Sequence, residues 1–211
     1  MKKLRLVITG NPGVGKHTSA NIIAEKINAE IIDINDVAID NNAMGKNTDL
    51  GFDVNVKKLL RLLEKLLKTK RDLVLVGHLA PYVLKPAGIS LVAVLRRSPY
   101  ELEKTLKKRG YSVDKVRENV ASEILGISLH DSVKTFGKRK VAEFDTTGKT
   151  PKETADEILA ALQNKQKSKP KLMGIDWLNL VSEKGDMRRF FKYYRLHLIP
   201  VVKFPISKAR V

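Results

Sequence analysis

The sequence predicts an α/β protein, a doubly wound three-layer sandwich around a five-stranded parallel sheet, followed by a basic C-terminal extension. Three observations carry this. Short apolar runs at 4–9, 29–34, 73–76, 91–95 and 141–144 have strand length and alternate with stretches of helical periodicity. The runs at 73–76 and 91–95 are apolar throughout, as expected of strands buried on both faces. A glycine-rich turn carrying Gly10, Gly13 and Gly15 joins the first run to the first helix.

That first unit organises the chain. Residues 4–18 read Leu-Arg-Leu-Val-Ile-Thr-Gly-Asn-Pro-Gly-Val-Gly-Lys-His-Thr. A strand, a glycine loop, a lysine and a helix in this order form the context of a phosphate-binding loop. The glycines let backbone N–H groups aim inward at phosphate oxygens. The helix adds its positive end and Lys16 a full charge, and Lys16 is expected to face solvent while the loop is empty. The strict form of the motif has Ser or Thr directly after the lysine, with its hydroxyl on magnesium. Here His17 stands there and Thr18 follows. This Gly-Lys-x-Thr variant is similar to nucleoside monophosphate kinases of the adenylate kinase type. In such a loop Thr18 contacts phosphate, His17 supplies its backbone N–H, and Mg2+ is held mostly through water.

The first helix is expected to run to about residue 28, and 29–34 to form the second strand. Asp33 and Asp36 lie at its carboxyl end, where open parallel sheets bind ligands. They either orient a second substrate or a water on magnesium, or cap the next helix. Residues 37–53 are polar and glycine-containing and read as an irregular, movable segment. Residues 54–68 form an amphipathic helix, with Val56, Leu59, Leu60, Leu63, Leu66 and Leu67 on one face. His78 follows the strand at 73–76; it sits near the phosphates or bonds to backbone. Pro99 starts a helix that Gly110 stops. A second helical stretch at 113–135 is interrupted near Gly126, and a closing helix covers 151–163.

The chain has 211 residues and a net charge of +17, with no cysteine and therefore no disulfide or thiolate metal site. No apolar run is long enough to cross a bilayer, and the apolar stretch behind Met-Lys-Lys has only strand length. No membrane span or signal peptide is expected, and a cytoplasmic location is the default. Residues 166–211 carry 11 Lys and Arg against 3 Asp and Glu, so nearly half the excess charge sits there. A charged linker at 163–171 precedes this extension. Asp176 and Asp186 could each cap a short helix, the second reaching about residue 194, and Pro200 and Pro205 keep the end extended. Six of the twelve aromatics fall in 172–211: Trp177, Phe190, Phe191, Tyr193, Tyr194 and Phe204. Basic side chains interleaved with rings suit RNA. Equally, the rings could dock the extension onto the core.

Beyond the loop, Val-Leu-Arg at 94–96, Lys-Arg-Gly-Tyr at 108–111, and Asn119 with Glu123 carry a closer resemblance. Over residues 1–165 the chain resembles archaeal members of the adenylate kinase isoenzyme 6 (CINAP) family. The resemblance implies a P-loop fold of the nucleoside monophosphate kinase type. It implies an atypical adenylate kinase (ATP + AMP = 2 ADP) that also hydrolyses ATP with Mg2+. It also implies a role in small-subunit ribosome maturation, through contact with a ribosomal protein of the platform. Carried onto this chain, Gly13, Gly15, Lys16, His17 and Thr18 hold ATP phosphates, and Arg109 is the lid arginine. Residues 33–56 would bind the monophosphate, with 108–118 as a short lid. His78 matches the family's strand-three histidine, which makes Lys16, Arg109 and His78 the catalytic candidates, with Arg96 or Arg117 as substitutes for the lid charge. Family members can carry an acid two positions before that histidine, here Val76, and some an arginine where this chain has Ile39. The expected division is a nucleotide kinase domain at 1–165 and a basic extension at 166–211, the latter a candidate contact for rRNA. Other readings are a nucleotide-dependent assembly factor with little kinase activity, and a kinase of another small acceptor.

Overall fold

A computed structural model describes residues 3–48, 51–68, 71–164 and 174–191. Five strands form one parallel sheet: β1 (Arg5–Thr9), β2 (Glu30–Asp33), β5 (Leu73–Val76), β6 (Leu91–Arg96) and β7 (Val141–Asp145). Their order across the sheet is β2-β5-β1-β6-β7, with β1 at the centre. The fold is the predicted one, and the strands at 73–76 and 91–95 are buried along their whole length. Helices cover both faces, so a parallel sheet keeps its ladder away from water. Leu6, Ile8, Val74, Leu91, Ala93 and Leu95 face one apolar layer. Val7, Leu73, Leu75, Val92 and Val94 face the other. These sets alternate along each strand, as the two-residue period of a pleated strand requires.

Helix α1 (Lys16–Ile27) follows the glycine loop and ends at Asn28, whose left-handed backbone (φ 50°) closes it. The second strand is shorter than expected, because Asp33 already caps α2 (Ile34–Asp40) by accepting from the Asn35 N–H at 2.8 Å. Much of the segment expected to be irregular forms regular structure: α2 is followed by an antiparallel hairpin of β3 (Met44–Thr48) and β4 (Gly51–Val54). Asn55 then caps α3 (Val56–Leu66), accepting from the Lys58 N–H at 3.0 Å. A short α4 (Ala80–Val83) follows β5. Helix α5 (Pro99–Lys108) ends at Arg109, and α6 (Val113–Ile124) and α7 (Ile127–Phe136) are separated at Gly126. Helix α8 (Pro151–Asn164) takes in Gln163 and Asn164, the first residues of the expected linker. Most of that linker, with Tyr193, Tyr194, Phe204 and both C-terminal prolines, lies outside the described residues.

The described part of the extension folds as α9 (Trp177–Glu183), capped by Asp176, and α10 (Met187–Phe191). Both pack on the sandwich. Trp177, Val181 and Phe190 are buried in the same cluster as Leu102, Leu106, Val116 and Val120. The Phe190 ring meets Tyr100 edge-on with centroids 5.4 Å apart, and Tyr100 donates its hydroxyl to Asp186 at 2.8 Å. Arg189 pairs with Glu103 at 2.6 Å. Of the two uses open to these rings, Trp177 and Phe190 serve docking.

Candidate active site

The glycine loop leaves the carboxyl end of the central strand, and its conformation depends on residues without Cβ. At Gly10 (φ 134°) a Cβ would stand 2.4 Å from the Leu95 carbonyl oxygen, so the loop presses on β6. At Gly15 the space is open, but φ is 94°, which L side chains rarely adopt. Gly15 is also the N-cap of α1, and no side chain caps that end. No acid lies in the first turn either. Free N–H groups and the helix dipole together make an anion site.

Lys16 departs from expectation. It is 6% exposed, folded back so that its amine donates to the Asn11 carbonyl oxygen at 2.8 Å. Burial is the main reason its pKa falls to about 8, and the Arg109 guanidinium lowers it further, while Asp33 and Glu123 pull the other way. An extended lysine would reach water; this one stays because the loop curls around it and offers a carbonyl.

His17 and Thr18 are both exposed at the start of α1. The His17 Nε2 lies 2.6 Å from the Asp33 Oδ2, so Asp33 joins the glycine loop with one oxygen and caps α2 with the other. The capping reading of Asp33 is thus observed, and its contact with His17 brings it beside the start of α1. Asp36 lies exposed in the first turn of α2 and lines neither cavity described below. His78 follows β5 at the rim of the site. Its pKa is lowered to about 4, chiefly by the surrounding protein and then by the Lys16 charge, so its imidazole is neutral near pH 7. Val76 is buried in β5, and Ile39 is exposed on α2.

A cavity of about 220 Å³ gathers Gly13, Gly15, Lys16, His17, Thr18, His78 and Arg109. Arg109 reaches it from the end of α5. A second cavity, about 500 Å³, adjoins it through the shared walls of Pro12, Asn35, His78 and Tyr111. Its apolar lining includes Met44, Leu79, Tyr82 and Ile127, and its polar lining includes Lys115, Glu118, Asn119 and Ser122. Loops at the carboxyl ends of β2, β5 and β1 thus meet at one crevice, where doubly wound sheets bind ligands.

Arg96, a substitute considered for the lid charge, cannot reach either cavity. It is 2% exposed and clamped by two carboxylates, with Nε 2.6 Å from Glu123 and Nη1 2.6 Å from Glu143. The wall residues Asn35, Tyr111 and Lys115 fall within the segments 33–56 and 108–118 expected at the site, though the sequence singles none of them out for a role, and sequence reasoning missed the buried roles of Glu123 and Asn11. Glu123 could have been flagged, because it falls on the apolar stripe of α6 with Val116, Val120 and Ile124. Among the described residues no group of three His, Asp or Glu side chains is placed to hold a metal ion. No helix among them is long and apolar enough to cross a membrane.

A parallel sheet with a phosphate-type loop at its centre and two joined cavities at its carboxyl end defines a P-loop α/β domain of the kinase type. Solved structures agree on the fold. Shikimate kinase from Aquifex aeolicus superposes with a TM-score of 0.52 at 14% identity, covering 77% of this chain and 98% of that one. A gluconokinase from Sinorhizobium meliloti gives 0.52 at 16% identity, covering 77% and 93%. A family model described as "AAA domain" matches residues 6–126. At the level of sequence, the chain is 38% identical over 178 residues to a Pyrococcus furiosus protein named "Putative adenylate kinase", covering 84% of this chain and 93% of that one. It is 36% identical over 178 residues to the Pyrococcus abyssi protein of the same name, with the same coverages. For the Methanocaldococcus jannaschii protein of that name it is 32% over 177 residues, covering 82% and 93%. The chain belongs to this archaeal family.

Proposed function

We propose that this protein transfers the γ-phosphoryl group of MgATP to AMP, with hydrolysis of ATP as a second activity. The observation that supports this best is the pair of joined cavities. The smaller, cationic one suits a phosphate chain, and the larger one beside it has the volume and mixed lining of a nucleotide-sized acceptor site. The names carried by the archaeal relatives agree with this reading.

Phosphoryl transfer depends on positioning and charge neutralisation more than on covalent chemistry. In this reading the loop N–H groups and Lys16 neutralise the β- and γ-phosphates, with Gly13, Gly15, His17 and Thr18 around them. Arg109 enters from the end of α5 and meets the charge on the transferred group. Magnesium, when bound, would supply charge neutralisation at the phosphates. Asp33, in contact with His17 at the start of α1, and Thr18 would hold a magnesium ion through water. His78, neutral and on the wall common to both cavities, is placed to accept or donate a hydrogen bond where acceptor and donor meet. A short lid over 108–118 admits some water, which accounts for hydrolysis beside transfer. Asp36 is kept as a contact for the monophosphate after movement of α2.

Residues 1–165 then carry every nucleotide contact, and the basic sequence beyond residue 191 serves a partner. A second reading, an assembly factor whose nucleotide state controls attachment to a platform ribosomal protein or rRNA of the small subunit, is favoured by the charge of that extension. Turnover measured with AMP, other nucleoside monophosphates, shikimate, gluconate and water as acceptors tests the first reading. Preference for AMP by at least tenfold supports it. Equal rates with and without any acceptor favour the second.

A further inference from the structure

The indole of Trp177, in the C-terminal extension, reaches the centre of the molecule. Its Nε1 donates to the Glu123 Oε1 at 3.1 Å, and Trp177 is 9% exposed. The other oxygen, Glu123 Oε2, accepts from the Asn11 side-chain amide at 2.6 Å. Asn11 is the second residue of the glycine loop, and its backbone oxygen holds the Lys16 amine at 2.8 Å. Four residues thus form an unbroken chain of hydrogen bonds from the extension to the loop lysine. We propose that Trp177 is a positioning residue of the phosphate loop, acting through Glu123 and Asn11 to set where Lys16 stands.

The chemistry of each hydrogen bond leaves little freedom. A carboxylate only accepts, so the Asn11 amide nitrogen must face Glu123. Its oxygen then turns to the Ser122 and Ser128 hydroxyls, at 3.1 and 3.5 Å. That fixes the Asn11 rotamer, and with it the bend of loop that faces a carbonyl to Lys16. Glu123 is itself fully buried and carries more negative charge than Arg96 alone cancels, since Arg96 is shared with Glu143. Donors must make up the difference. The backbone N–H of Arg97 reaches Glu123 at 3.2 Å, and that of Ile175 reaches Glu143 at 3.3 Å. Both carboxylates around Arg96 therefore take a donor from the extension, Glu143 from Ile175 and Glu123 from Trp177. Without the indole, Glu123 would have one donor fewer in a low-dielectric site, where an unmet acceptor is costly, and the carboxylate that orients Asn11 would be held less firmly.

The inference rests on the phosphate-loop reading, but its first test does not need a nucleotide. Trp177→Phe keeps an aromatic ring, though a smaller one, and removes the N–H. Amide hydrogen exchange in the free, full-length protein should become faster on the order of tenfold across residues 10–16 of the variant, while β1 and β6 exchange as before. Equal exchange in the loop would overturn the proposal. So would a rise shared by the loop and both strands, because that is general loosening. The second test uses ATP. Displacement of a catalytic group by a remote change lowers kcat, here on the order of tenfold, with KM for ATP moving much less. Because Trp177 is the only tryptophan in the chain, its emission in the unaltered protein should also change when MgATP saturates the site. ATP binding by calorimetry with unchanged emission and unchanged kcat in the variant would count against the proposal. Absence of ATP binding in the unaltered protein would instead defeat the phosphate-loop reading, and the exchange comparison would still decide the positioning role.

Discussion

The Lys16 ammonium rests 2.8 Å from the Asn11 backbone oxygen, five residues back in its own loop. It is a buried cation whose nearest partner is a neutral carbonyl. In the free protein that is unfavourable, and the lowering of its pKa to about 8 from 10.5 measures the cost, on the order of 3 kcal/mol. Lys16→Met keeps the bulk and removes the charge. The variant should lose ATP turnover, yet unfold at higher urea concentration at pH 7, by about 1–3 kcal/mol. A less stable variant would show that the hydrogen bond to the carbonyl outweighs the burial cost.

The same lysine predicts a pH dependence. Between pH 8 and 10.5 the unfolded chain holds this proton and the folded one does not, so this group's penalty is full below 8 and is relieved as pH rises. ATP reverses the preference, because phosphate oxygens favour the charged amine. ATP affinity should therefore fall as pH rises above about 8. Binding near that pH should take up a proton, visible by calorimetry in buffers of different ionisation enthalpy. Affinity flat from pH 7 to 9.5 would mean that the lysine's proton does not govern binding. His78, lowered to about 4, should contribute no inflection to turnover between pH 6 and 7.

Arg109 stands at the mouth of the phosphate cavity, exposed and at a helix end, where it can swing. Arg109→Ala should lower phosphotransfer sharply, roughly 10³-fold by comparison with arginines that act late in related reactions, and weaken ATP binding far less. Separate measurement of kcat and ATP affinity checks this. An unchanged rate would transfer the role to Lys115 or Arg117, since Arg96 is locked in the interior.

The lock on Arg96 has its own consequence. Glu143→Ala removes one of its two carboxylates and leaves Ile175 without its acceptor. Breaking a buried pair from one side typically costs about 3–5 kcal/mol. A loss of that size in urea unfolding is expected. A loss under about 1 kcal/mol would indicate that Glu123 alone satisfies the guanidinium.

What the sequence shows and what it hides follow from locality. The glycine loop, the capping Asp33 and the break at Gly126 are set by neighbours along the chain, and they are legible. The β3–β4 hairpin is not, because Gly45, Asn47 and Thr48 weaken the apolar alternation that marks a strand. The burial of Lys16 is created by tertiary neighbours, including Arg109 from almost a hundred residues away, and no local pattern encodes it. Glu123 lies between. Its place on an apolar stripe signals burial, but its partners Arg96, Asn11 and Trp177 come from three distant segments.

The chain tolerates shortening at one point in its C-terminal stretch and not at another. The charge and rings of 166–211 suggest an appendage that binds RNA and can be removed while ATP chemistry is kept. The structure describes only 174–191 of that stretch, and this part is packed on the domain. Trp177, Val181 and Phe190 belong to the core and α9 and α10 pack on α6 and Tyr100, so ending the chain at residue 165 would uncover apolar surface there. A 1–165 protein should be poorly soluble or much less stable, since each large apolar side chain uncovered costs about 1.5–3 kcal/mol. Ending at residue 191 keeps this packing and removes a segment with 5 Lys and Arg and no Asp or Glu. The 1–191 protein should fold and turn over ATP at close to the full-length rate. Its affinity for rRNA should fall, and the slope of log K against log salt should lessen by up to about 0.7 for each single-strand phosphate that residues 192–211 neutralise. A salt series on one rRNA fragment, with full-length and 1–191 protein side by side, reads this directly. Identical slopes would show that residues 192–211 neutralise no phosphates, and the RNA-binding surface would then have to be sought on the folded domain.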